Sequence, residues 1–229
     1  MPGGVLPVEM IDWFPSTTSA DPARDLSRWQ GAVTMRRVAR SIDDRHPSTA
    51  GHSDRVAEMA AEIARSLGWS RRSVECMREA GGVHDIGKVC VPESILLTPG
   101  ELTADEYEIV KTHAVLGGEI ASTVFTRRQV TWIRHHHERW DGLGYPDRLA
   151  GEEIPEGASI LSLADAWDAM TSRSWSRPPL TRARALEECD RESGRQFAPW
   201  AVAALRTVME DRPPVPERVY GRLRLISAA

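Results

Sequence analysis

The chain has 229 residues, 41% hydrophobic and 27% charged, with a formal net charge of −4. That length suits one domain with short appendages, and a core of this size needs no disulfide or metal merely to hold it together. The acidic balance argues against a nucleic-acid binder, which carries a basic excess.

Residues 1–24 are rich in Pro, Gly, Ser and Thr and read as a leader with little regular structure. They lack the basic and apolar regions of a signal peptide, and no run approaches the ~18 apolar residues of a membrane span. Cys76, Cys90 and Cys189 are scattered and odd in number, which reads as reduced thiols and a cytoplasmic setting. A helix is expected over 25–42. A strongly amphipathic one follows over 50–67, where Val56, Met59, Ala60, Ile63 and Leu67 recur at helical spacing before Gly68.

Ser70 is placed to cap the next helix, which runs into VHDIG at 83–87. Gly81 and Gly82 inside it each cost about 1 kcal/mol against alanine. A close approach by another element, or by a metal site, would account for them. Thr103 and Glu106 form a capping box that opens a helix reaching about Ser122, and a further helix is expected over 127–138. After the loop WDGLGYPDRLAGEEIPEGA come helices over 159–172, 182–192 and 199–210. Pro213-Pro214 closes the domain, which leaves 25–211 as its body and 212–229 as a tail. No segment alternates as a core strand does, so the fold class is all-α.

Four of the seven histidines and an aspartate stand out by position. His52 shares the face of Val56 and Ile63, His113 that of Val110 and Gly117, and His136 and His137 extend the face of Ile133. Asp165 lies among Leu161, Ala164 and Trp167, where a lone carboxylate is costly to bury. Each has an ordinary reading as a hydrogen-bonded core residue. Taken together with His84 and Asp85, one pair of cations would satisfy them all. The nitrogen-and-carboxylate set suits Mn, Fe or Zn better than Mg.

His84-Asp85 within VHDIGK resembles the signature of the HD phosphohydrolase superfamily, and HHERWDGLGYP at 136–146 is similar to the HHExxDGxGYP motif of its HD-GYP subfamily. GHSDRV at 51–56, PGELTADE at 99–106, KTHAVLGG at 111–118 and ILSLADAWDAMTS at 160–172 extend the likeness over about 30–211. The resemblance implies an HD-domain helical bundle with a GYP loop and a C-terminal helical extension. It implies hydrolysis of cyclic di-GMP to pGpG, with further cleavage to GMP left open, by a hydroxide held between two divalent transition metal ions. Fe or Mn leads, with Zn, Ni or Co allowed. His52, His84, Asp85 and Asp165 would hold one ion. His113, His136 and His137 would hold the other, with Asp85 bridging. Lys88 would contact a phosphate oxygen or the bridging solvent.

Asp141, Gly144, Tyr145 and Pro146 would shape the substrate pocket, and the GYP loop could also receive a protein such as a diguanylate cyclase domain. A homodimer is allowed; DNA and membrane are not expected partners. Ser48 stands where some relatives carry a glutamate tied to a third metal, so two ions are expected. Arg173 would contact guanine or phosphate. The string TSRSW at 171–175 departs from the family there and leaves Trp175 either to stack on a base or to pack under the C-terminal helices. That departure keeps another cyclic dinucleotide, such as cyclic GMP-AMP, open as substrate. A regulatory module that binds the nucleotide or a protein without turnover is the alternative from outside enzymology.

Overall fold

A computed structural model describes residues 22–45, 49–98, 100–172 and 178–211. The expected tail and most of the expected leader lie outside these residues, as do Ser48, Arg173 and Trp175. Helix α1 (Pro22–Asp43) starts three residues inside the expected leader, with proline in its first turn where the missing N–H costs nothing. It is followed by α2 (His52–Ser66) and α3 (Arg71–Gly81), then by a 3₁₀ turn (Ile86–Cys90) and the single turn α4 (Glu93–Leu96). Next come α5 (Ala104–Ala121), α6 (Arg127–Arg134), a 3₁₀ turn at Gly151–Glu153, α7 (Glu156–Thr171), α8 (Arg182–Arg191) and α9 (Pro199–Glu210). Among the described residues there is no strand, only an isolated bridge between Ser193 and Phe197, so the all-α expectation holds. No helix of the described residues is long and apolar enough to cross a membrane.

Helix α2 is the axis of the bundle. Val56, Met59, Ala60 and Ile63 are buried on it, and α3, α7 and α9 pack around it. Helix α7 is buried on nearly every side from Gly157 to Ala164, which is why its sequence has little polar face. Each fully buried Leu or Ile, such as Ile63, Leu161 and Leu205, contributes about 1.5–3 kcal/mol of burial. The C-terminal helices α8 and α9 close the core against α7 and α2.

Helix ends follow the local chemistry. The Ser70 hydroxyl accepts from the Ser73 N–H, and Thr103–Glu106 forms the expected reciprocal box. A second box, Thr126 with Gln129, opens α6. Gln129 also donates to the Cys76 carbonyl and to Glu79, which ties α6 to α3.

Two expected boundaries are corrected. The helix α3 ends at Gly81 rather than running through the VHDIG segment, and α6 ends at Arg134 rather than near 138. In both places the backbone turns just before the histidines. At Gly81 an added β-carbon would stand 2.8 Å from the Ala57 α-carbon, so the glycine is the price of a close crossing of α2 and α3. At Gly144 an added β-carbon would meet the backbone of 137–139 at 2.4–2.6 Å, so the loop returns directly onto the histidine turn.

Candidate metal centre

Six segments deliver side chains to one point between α2, α5 and α7. His52 is the first residue of α2. His84 and Asp85 occupy the turn after α3, and Lys88 the 3₁₀ turn beyond. His113 comes from the middle of α5, His136 and His137 from the turn after α6, and Asp165 from α7. The 3₁₀ turn can press against α5 because Gly87 has no side chain; a β-carbon there would lie 2.0 Å from the His113 carbonyl oxygen.

The imidazoles form a nearly continuous ring. Centroids are 5.2 Å apart for His52 and His84, 5.1 Å for His84 and His136, 5.4 Å for His113 and His136, 4.9 Å for His113 and His137, and 4.0 Å for His136 and His137. His84, Asp85, His113 and His136 are buried, and His52 and His137 partly so.

Hydrogen bonding fixes which nitrogens face the centre. The Nδ1 of His84 lies 2.8 Å from the Gly81 carbonyl, that of His113 2.6 Å from Val110, and that of His136 2.6 Å from Ile133. A carbonyl oxygen only accepts, so each Nδ1 carries a proton, and in the neutral ring Nε2 presents the lone pair. The Nε2 atoms of His84 and His136 and Oδ1 of Asp85 are buried without a hydrogen-bond partner. His113 Nε2 sits 3.2 Å from Asp85 Oδ1 and 3.1 Å from His137 Nε2. Buried polar atoms are not left unpartnered without a reason. Divalent cations would satisfy these buried atoms together, so the donors fit a nitrogen-and-carboxylate metal centre.

The donors fall into two sets that share Asp85. One is His52, His84 and Asp85; the other is Asp85, His113, His136 and His137; within each set the ligand atoms lie within 4.8 Å of one another. Asp165 joins the first through its Oδ1, 3.2 Å from His52 Nε2. The structure therefore brings together all seven residues singled out from the sequence as metal ligands. A third group, His135, Glu138 and Asp147, lies apart; there Asp147 accepts from both Arg134 and His135, which makes it an ion pair behind the centre.

Electrostatics point the same way. Burial opposes ionisation of Asp85, but Lys88, His84 and His113 together hold its carboxyl well below the ordinary range. Burial likewise opposes the charged form of His52, yet its contacts with Asp165 and Asp168 push it up to about 10. His137 goes the other way, down to about 3, because burial and the neighbouring His113 disfavour a second positive charge. The centre keeps the Asp85 and Asp165 carboxyls ionised and disfavours the charged form of His136 and His137, as metal ligands need, whereas His52 is held by its two aspartates and would give up a proton on taking an ion.

The expected substrate contacts are placed less uniformly. Lys88 Nζ lies 2.5 Å from Asp85 Oδ2, at the rim of the centre. Tyr145 stacks on His137 with centroids 4.8 Å apart and planes 30° apart, and Lys111 Nζ lies 5.7 Å from the centroid of the tyrosine ring. Gly144 is buried against the histidine turn, and Pro146 is half-buried beside it. Asp141 is exposed, gripped by Arg139 and capping the Leu143 N–H, so its side chain serves the loop.

Three residues that matter here were not singled out from the sequence. Glu138 accepts from the Asp147 N–H and so pins the GYP loop to the histidine turn. Asp168 and Arg55 support His52 from behind. The signal for the last two was available: His52 and Arg55, like Asp165 and Asp168, are three apart on helices and share a face.

The HD domain family model matches residues 36–199. The cyclic di-GMP phosphodiesterase response regulator RpfG of Xanthomonas campestris is 38% identical over 175 residues, covering 75% of this chain and 46% of its own. A 3′3′-cGAMP-specific phosphodiesterase of Vibrio cholerae is 34% identical over 173 residues, covering 73% of this chain and 33% of its own. The chain thus spans less than half the length of these relatives. In structure, a cyclic GMP-AMP specific phosphodiesterase from V. cholerae superposes with a TM-score of 0.60 at 19% identity, over 79% of this chain and 49% of that one, which shows a shared fold.

Proposed function

The chain belongs to the HD domain family, in its HD-GYP form, and from that premise we propose that it is a metal-dependent phosphodiesterase that opens cyclic di-GMP to pGpG. The observation that carries the reading is the convergence of four buried donor residues and three more at their edge on one centre, with the Nε2 atoms of His84 and His136 left without partners. We assign His52, His84, Asp85 and Asp165 to one ion, and Asp85, His113, His136 and His137 to a second. The ions are of the Fe or Mn type, with Zn, Ni or Co compatible with the same donors. A pair of such cations supplies positive charge for a developing phosphoryl anion and acidifies water at neutral pH.

The chain's own groups do the rest. Asp85 keeps its charge at the point shared by both sets. Lys88, whose ammonium is held charged against burial by Asp85, is placed to receive a phosphate oxygen at the rim. Tyr145, backed by His137 on one face, offers a rigid wall for the substrate. Leu143, 78% exposed at the tip of the same loop, is a candidate contact for a protein partner such as a diguanylate cyclase domain. The three free cysteines suit a cytoplasmic setting.

A second reading differs only in the substrate: cyclic GMP-AMP, the dinucleotide in the name of the V. cholerae relative. A purely regulatory module would not require this set of donors. The test is to incubate Mn- or Fe-loaded protein with each dinucleotide and separate the products by chromatography. Faster release of pGpG than of the mixed linear product supports the first reading, and the reverse order supports the second. No product from either substrate with any of Mn, Fe or Zn overturns both.

A further inference from the structure

His52 stands apart from the other ring members in how its Nδ1 is held. His84, His113 and His136 each donate to the carbonyl three residues earlier. His52 opens its helix, and the carbonyl three residues before it, on Thr49, already accepts the His52 backbone N–H. Its Nδ1 turns instead to a side chain on another helix: Asp168 Oδ2, 2.8 Å away.

Asp168 is buried and fully engaged. Its Oδ1 accepts from Arg55 Nε at 2.6 Å and from the Ser172 hydroxyl at 2.8 Å, and its Oδ2 accepts from Arg55 Nη2 at 3.0 Å. Arg55 is itself anchored by Nη1 to the Ala50 carbonyl at 2.7 Å. An ionised carboxylate has only lone pairs to offer, so the proton between it and His52 sits on Nδ1. The Nε2 atom then faces Asp165 at 3.2 Å and Asp85 at 3.8 Å.

We propose that Asp168, forked by Arg55, is the positioning residue that commits His52 to the ring tautomer able to hold a metal through Nε2. The inference rests on the metal-centre reading above but not on the identity of the substrate. A carboxylate behind a ligating imidazole orients the ring and raises its basicity, and loss of such a partner commonly costs 10–100-fold in metal affinity. Asp168→Asn has a specific consequence. The amide oxygen stays with its two obligate donors, Arg55 Nε and the Ser172 hydroxyl, the amide NH₂ takes the place of Oδ2 at the loss of the Arg55 Nη2 bond, and a donor now faces His52 Nδ1. The proton moves to Nε2, where it blocks the ion.

The test uses zinc-loaded protein, with zinc counted per chain and the histidine ¹⁵N resonances assigned by NMR. Wild type is expected to hold two zinc ions with His52 protonated at Nδ1 and zinc-bound at Nε2. Asp168→Asn is expected to hold the ion of the His113 set and to bind the other at least tenfold more weakly. Arg55→Gln, which leaves the carboxylate in place, should fall between the two. A folded Asp168→Asn that keeps both ions at wild-type affinity overturns the proposal, as does wild-type His52 bound through Nδ1. The second outcome needs no variant, so a failure of Asp168→Asn to fold leaves the proposal exposed to refutation. Wild type that takes up no zinc, manganese or iron overturns the metal-centre reading and this inference together. Two ions without turnover defeats only the proposed activity.

Discussion

Gly87 and His113 are in backbone contact: a β-carbon on the glycine would stand 2.0 Å from the histidine carbonyl oxygen and 2.6 Å from the Gly117 amide nitrogen. This contact sets the 3₁₀ turn that carries Lys88, and Asp85 just before it, against the helix that carries His113. Neither backbone can yield without moving a donor. Gly87→Ala is therefore expected to lower stability by about 1–3 kcal/mol, as overpacking does, and to weaken metal retention at the same time. Thermal unfolding and metal content of the purified variant check this. An unchanged melting temperature with full metal content would show that the contact relaxes freely.

A change at Lys88 is expected to separate metal holding from chemistry. It belongs to neither donor set, yet its ammonium reaches Asp85 from the rim. Lys88→Met should retain the metal of wild type while turnover falls by about 10²-fold or more, the usual cost of removing a group aimed at developing charge. Metal content and rate are measured on the same sample. Loss of metal in proportion to loss of rate would make Lys88 a structural partner of Asp85 instead.

Metal removal should act on stability because the centre holds buried donors without partners. At a free-ion concentration of 100 Kd, binding contributes about 2.7 kcal/mol. For a domain of this size that raises the melting temperature by about 5–11 °C. Scans with and without a chelator provide the measurement. Coincident transitions would mean that the donors are satisfied without an ion.

The ion pair behind the centre has its own pH signature. Asp147 accepts from Arg134 at 3.0 and 2.9 Å and from His135 at 2.8 Å, with Arg134 the larger influence, and its carboxyl is lowered to about 2. Its folded value lies below its unfolded value, so its contribution is complete above the ordinary carboxylate range and fades as pH falls towards 2. The side chain is exposed to solvent, which limits that contribution to under about 1 kcal/mol. Asp147→Asn should thus be slightly less stable than wild type at pH 7 and at pH 5, with the gap narrowing at pH 3. Denaturant midpoints at the three pH values check the trend. A gap that widens on acidification would contradict it.

Much of this arrangement was legible in the sequence, and the remainder was hidden for physical reasons. The apolar spacing of Val56, Met59 and Ile63 and the Thr103–Glu106 box give α2 and the start of α5 directly. The inward placement of His52, His113 and Asp165 follows from the same periodicity. The ends of α3 and α6 were misread because periodicity continues through the histidines while the backbone does not. What stops these helices is tertiary: α2 crossing at Gly81, and the returning loop at Gly144. Arg55 and Asp168 were missed because a salt bridge between α2 and α7 has no local signature, although each lies three residues beyond a residue already singled out. Glu138 was legible only as a letter of a motif; its work of holding the Asp147 N–H depends on where the loop comes back.

Asp85 is the one side chain common to both donor sets, and so the sharpest measurement is turnover against bound metal in wild type and in Asp85→Ala. Anaerobically purified, metal-free wild type is titrated with manganese or iron(II), and cyclic di-GMP cleavage is followed at each step. We expect cleavage to rise with the second equivalent bound per chain, and Asp85→Ala to bind both ions poorly and to show no cleavage. Cleavage that is complete without metal, or an Asp85→Ala variant that keeps both ions and its rate, would contradict a shared centre.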